Sequence, residues 1–142
     1  MWLIALAGIL GLCAFSIIGG TPRVMAQQRS PELIRPKDHP LQMDPQLGVR
    51  AARLGVGKFR QVDVTLIEIP PGGSLPPHRH LAEEMILIVS GSGYTQMWPR
   101  PEVRKERYDW KEGDLLSPSL NAWHQHFNSS QTTPARYLSI TT

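Results

Sequence analysis

The sequence predicts an all-β domain, an antiparallel sandwich or barrel, and three observations carry that prediction. From residue 55 onward, short runs rich in β-branched and aromatic residues follow one another. Turn-forming residues divide these runs at close spacing. No stretch in that region repeats its apolar residues at the helical period.

Taken from the N-terminus, the chain of 142 residues is long enough for one domain. Met1 to Gly20 carry no charged side chain, and "WLIALAGILGLCAFSII", as a helix, would reach across or nearly across a bilayer. Two expectations follow. Residues 1–26 are a secretory signal, with Val24 and Ala26 placed for cleavage after Ala26, or the apolar helix stays as an uncleaved anchor. Both export the rest of the chain to a periplasmic or extracellular location, and membrane contact is expected only through residues 1–20, if uncleaved. The single cysteine, Cys13, lies in this segment, so disulfides, thiolate metal sites and cysteine nucleophiles are excluded from the remainder. Removing Arg23 from the 15 Lys and Arg leaves 14 against 12 Asp and Glu. The basic residues are scattered, and no nucleic-acid partner is expected.

Residues 27–54 read as an extended Pro-rich arm. Pro31, Pro36, Pro40 and Pro45 recur at near-regular intervals, and proline at that density opposes helix and most sheet pairing. The arm carries the domain clear of the export segment or packs along a partner subunit. The domain proper spans residues 55–142, with strand-like runs "FRQVDVTLIEI", "MILIVS", "YTQMW", "RYDW", "DLLSPS", "WHQHFN" and "ARYLSIT". Along "EMILIVSG" both faces are apolar beyond Glu84. Such a strand is covered on both sides, by the barrel interior within and a second sheet or subunit without, which predicts a homodimer.

The residues that carry chemistry gather in two of these runs. His78 and His80, two apart on an extended segment, project to one face. Glu84 has the same parity, and a bend near Leu81 and Ala82 brings its carboxylate to the same point. "NAWHQHFN" supplies His124 and His126, again sharing a face. Glu83 has opposite parity and is expected in solvent, exchanging roles with Glu84 if the bend falls differently. His126 is a pocket-lining proton carrier, a partner to the ligands, or a filled core position. Asn128 is expected to bond the following turn, although "NSS" also has the form of a glycosylation acceptor. Trp98, Trp110 and Trp123 wall a cavity or fill the core or a subunit interface.

Gly72, His78, His80, Glu84 and Gly91 keep the spacing of the first motif of the cupin superfamily, which the chain resembles from roughly Val62 to Thr142. In the second motif Gly113, His124 and Asn128 are in place, but Ser119 holds the proline position, with Pro118 one residue early. Asn121 replaces an inner glycine, which asparagine's tolerance of left-handed turns permits. "LNAWHQHFN" and "PARYLSIT" also resemble a branch of small bacterial single-domain cupins.

The resemblance implies a single-domain jelly-roll β-barrel, here preceded by an N-terminal apolar helix. It further implies one divalent transition metal per chain, held by His78, His80, Glu84 and His124. Nitrogen and oxygen donors without sulfur suit Fe(II) or Mn(II), which are favoured, and also Zn, Ni or Cu. The expected activity is a dioxygenase-like reaction on a small chelating organic substrate. The alternatives are a non-catalytic cupin that binds a sugar or organic acid, and a domain whose metal only braces the barrel. Histidine ligands also predict metal loss below about pH 6.5.

Overall fold

The computed structural model describes residues 33–55, 61–100 and 104–142. The expected apolar helix and the cleavage position after Ala26 lie outside the described residues. Within them, no helix is long and apolar enough to cross a membrane. Among the described residues the regular structure is nine strands: β1 (Gln42–Asp44), β2 (Val49–Arg53), β3 (Asp63–Ile69), β4 (Glu84–Ser90), β5 (Ser92–Trp98), β6 (Glu106–Lys111), β7 (Leu115–Leu116), β8 (Trp123–Asn128) and β9 (Ala135–Thr141). They form a six-stranded sheet in the order β1-β2-β3-β9-β4-β7 and a three-stranded sheet in the order β6-β5-β8.

Period-2 alternation sorts the side chains of the large sheet. Inward-facing Ile67, Ile69, Ile86, Ile88 and Tyr137 meet Trp110 of the small sheet to form the main core. Burial of an aliphatic side chain such as Ile69, fully enclosed, contributes about 1.5–3 kcal/mol.

The outer face of the same sheet is also apolar, as the sequence of β4 suggested, and part of its cover comes from within the chain. Leu66 packs with Leu41 and Leu54, and Ile34, Val89 and Leu138 join them, so residues N-terminal to β1 cover this face. Arg136 fastens that segment: its guanidinium donates to the carbonyls of Pro36, Lys37 and His39 and pairs with Glu68 at 2.7 Å. Glu68 also accepts from Arg50 at 2.9 Å, so a buried carboxylate is held between two arginines. The cover stops short of the start of β4, where Met85 is 46% exposed.

The arm expected over residues 27–54 therefore requires correction. Gln42–Asp44 and Val49–Arg53 pair with each other, and the second pairs with β3 from Arg50↔Glu68 to Arg53↔Thr65. The physical reason is local. Pro36 and Pro40 precede β1 and Pro45 occupies the turn to β2, so proline blocks pairing only where it stands.

In the small sheet, β5 lies between β6 and β8, and the other side of β8 pairs with the loop after β3. Ser74 pairs with Phe127 and His78 with His124, while the Leu75 N–H donates to the His126 carbonyl at 3.0 Å. This pairing positions the site.

Candidate metal centre

Two turns deliver the first histidines and the carboxylate. Gly72 (φ 63°) and Gly91 (φ 85°) bracket the segment in left-handed conformations. Between them the chain runs extended along β8, bends at Leu81 and Ala82, and enters β4 at Glu84. Asn121, with φ 59°, takes the left-handed position before β8, as expected of the residue that replaces a motif glycine. Asn128 ties both sides together. Its amide donates to the carbonyls of Ile69, Pro70 and Thr133, and its Oδ1 accepts from the Ser130 N–H at 2.9 Å.

His78, His80, Glu84 and His124 come together at one end of the barrel, as two overlapping groups that share His124. Donor atoms of His78, His80 and His124 lie within 4.8 Å of one another, and those of Glu84, His124 and His126 do likewise. Glu84 Oε2 is 3.2 Å from His80 Nε2 and 3.5 Å from His124 Nε2. The site is graded in depth: His124 and His126 are buried beneath a half-buried His78 and His80, and Glu83 is exposed.

The backbone decides which nitrogen each ligand presents. Nδ1 of His78 lies 3.0 Å from the Pro76 carbonyl, that of His80 2.9 Å from Ala82, and that of His124 3.0 Å from Ala122. A carbonyl only accepts, so each Nδ1 carries the proton and each neutral ring keeps a bare Nε2 lone pair, those of His80 and His124 facing Glu84. Lone pairs and a carboxylate facing one another repel unless a cation lies among them. Nε2 of the buried His124 has no hydrogen-bond partner among the described residues. The donor set therefore fits a divalent metal, with imidazole tautomers already fixed from behind.

Ser139 supports the carboxylate by donating its hydroxyl to Glu84 Oε1, and Ser117 Oγ bonds the Glu84 carbonyl at 2.8 Å. Burial pushes the Glu84 pKa up, but donation from His124, which a proton on Nε2 in place of a metal allows, and from the Ser139 hydroxyl, with His126 adding to them, pulls further the other way and leaves it at about 2. Burial, reinforced by His124, lowers the pKa of His78. Burial lowers that of His126 to about 3, and it raises Tyr137 well above its ordinary value, with Glu84 adding to the rise.

A cavity of about 240 Å³ opens beside the ligands, lined by His78, His80, Glu84, Arg53, Thr65 and Tyr137 among others. A larger one of about 590 Å³ lies near Met85, Pro118 and Leu120 and meets Glu84 but none of the histidines. The first is the one relevant to ligand chemistry. The tryptophans do not line it: Trp110 is in the core, and Trp98, buried, stacks on Trp123 with centroids 6.4 Å apart.

Sequence reading missed Arg53, which fell in the supposed arm, and Ser139 and Thr95. For Ser139 the available signal was a small polar residue at an inward position beside Tyr137 and Ala135.

A family model described as a cupin domain matches residues 65–141. No curated protein gives a significant match. Among solved structures, a Cupin 2 conserved barrel domain protein from Salinispora arenicola is 19% identical, with a TM-score of 0.61 over 79% of this chain and 89% of that one. A Bacillus halodurans protein is 21% identical at a TM-score of 0.54, over 57% of this chain and 61% of its own. Lactobacillus farciminis oxalate decarboxylase, in a formate complex, is 17% identical at 0.60, over 74% of this chain. This chain spans only 31% of the decarboxylase. At such identities the likeness is one of fold. The jelly roll that sets His78 against His124 is the one the family model traces over more than half of the sequence, and the chain belongs to the cupin family.

Proposed function

We propose that the protein is an exported, mononuclear divalent-metal enzyme of dioxygenase-like type that acts on a small chelating organic substrate. One observation carries this reading: three histidines held as Nδ1–H tautomers by backbone carbonyls gather their donor atoms within 4.8 Å, and two of them face one buried carboxylate with bare Nε2 atoms. Fe(II) or Mn(II), when bound, would supply dioxygen activation or carbonyl polarisation.

The chain's own residues supply orientation. His78, His80, Glu84 and His124 would hold the ion, and the cavity beside them, of about 240 Å³, is smaller than the roughly 300–1,000 Å³ of drug-sized pockets, which suits a small substrate. Arg53 lines that cavity and makes no ion pair among the described residues, which favours a substrate with an anionic oxygen. An oxalate decarboxylase among the fold neighbours is in keeping with a carboxylic acid substrate.

Export rests on the uncharged Met1 to Gly20 segment, and cell fractionation tests it. A homodimer would cover the exposed Met85, Leu115 and Leu120, and light scattering tests it.

The enzymatic reading is tested by loading the protein with Fe(II) without oxygen and following oxygen uptake with catechols, gentisate, diketones, thiols and small organic acids. No uptake and no product with any of them would sink it. Tight binding of one without turnover would instead establish a binding cupin.

A further inference from the structure

His126 shares the inward face of β8 with His124, yet its ring is held in the opposite way. The chain of contacts behind it begins at Trp110, whose Nε1–H lies 3.0 Å from Thr95 Oγ1. An indole nitrogen only donates, so Thr95 accepts there. Thr95 is fully buried, and the other polar atom against its hydroxyl is His126 Nδ1 at 2.8 Å. If Nδ1 carried the proton, the hydroxyl would accept twice and its own hydrogen would have no acceptor among the described residues. The arrangement that satisfies both the Thr95 hydroxyl and Nδ1 has Thr95 donating to Nδ1, which leaves the proton of the neutral ring on Nε2.

That Nε2–H has no partner among the described residues, in a side chain 2% exposed. A ring nitrogen of His126 lies within 4.8 Å of donor atoms of both Glu84 and His124. The two unpartnered nitrogens at the base of the site are thus chemically opposite: His124 offers a lone pair and His126 a hydrogen. A cation satisfies the first and cannot satisfy the second.

We infer that His126 is a fixed hydrogen-bond donor and not a fifth metal ligand, and that it serves a small oxygen anion, of carboxylate type, held beside the metal. This rests on the metal-site reading above. Trp110 and Thr95 are positioning residues that act through His126. Gly93 belongs with them, because a Cβ there would fall 2.3 Å from the Trp110 ring.

The test has two parts. Long-range ¹H–¹⁵N spectra of the metal-free, full-length protein report each histidine's tautomer; the expected result is Nε2–H for His126 and Nδ1–H for His78, His80 and His124. A proton on His126 Nδ1 would overturn the inference whatever any variant does. In the second part the Co(II)-loaded protein is titrated with formate and followed by its visible spectrum. His126→Leu is expected to keep Co(II) affinity within a few-fold and to weaken formate by about tenfold or more. Thr95→Val weakens formate by a smaller factor, and Thr95→Ser restores it. Formate affinity unchanged in His126→Leu, or a Co(II) affinity that falls with it by about a hundredfold, also overturns the inference. Failure of the wild-type protein to take up Co(II) would refute the metal-site reading instead, and the tautomer spectrum would still report on His126.

Discussion

His78 and His124 exchange backbone hydrogen bonds in both directions, at 3.0 and 2.9 Å, and their rings meet edge to face with centroids 4.2 Å apart. Two ligands distant in sequence are thereby fixed by the main chain before any ion arrives. The metal would bind a prepared site.

His80 separates ligation from packing, because its side chain sits half-buried at the rim and, among the described residues, is held from behind by the Ala82 carbonyl alone. His80→Ala is expected to lower Co(II) affinity by about a hundredfold. The stability of the metal-free protein should change by less than about 1 kcal/mol. Metal titration and urea unfolding in chelator measure the two effects, and unchanged metal affinity would remove His80 from the site.

Ser139→Ala removes the hydroxyl that orients Glu84. A loss of about 10–100-fold in metal affinity is expected with the ligands themselves intact. Equal affinities would show that the carboxylate needs no such support.

Acid should destabilise the metal-free protein, and both buried groups act in the same direction. Glu84 has its pKa lowered from 4.5 to about 2, so its contribution is complete above 4.5 and is lost as pH falls toward 2. His126 is lowered from 6.5 to about 3, so below 6.5 the unfolded chain takes up a proton that the folded one refuses. Stability therefore begins to fall near pH 6.5 and continues to fall into strong acid. Urea midpoints in chelator at neutral and acid pH check this, and a flat profile would contradict it.

Gly93 lies where no side chain fits. An added Cβ would stand 2.0 Å from the Phe127 carbonyl as well as against Trp110. Gly93→Ala should cost about 3 kcal/mol or prevent folding, since β5 and β8 would have to separate. Wild-type thermal stability in this variant would refute the close approach.

Asn121 offers a contrast between two replacements at one backbone position. Asn121→Gly should be neutral within about 0.5 kcal/mol, whereas Asn121→Val should cost about 1–2 kcal/mol because φ is 59°. Thermal unfolding distinguishes them, and equal stabilities would mean that the turn relaxes.

The β-rich texture, the histidine parity and the motif spacing were legible in the sequence because each depends on neighbours within a few residues. Period-2 alternation alone puts His78 with His80 and His124 with His126. The strands Gln42–Asp44 and Val49–Arg53 were hidden because proline density averages over a window, whereas a hydrogen-bond ladder depends on the position of each proline. Arg53 was hidden with them.

What only the tertiary structure decided is which atom each residue presents. His124 and His126 are equivalent by sequence parity, yet one Nδ1 meets the Ala122 carbonyl and the other the Thr95 hydroxyl. A carbonyl can only accept and a hydroxyl can also donate, so the same side chain becomes a ligand in one place and a hydrogen-bond donor in the other. Thr95 reaches His126 only because β5 and β8 lie side by side, and that adjacency is a property of the folded sheet.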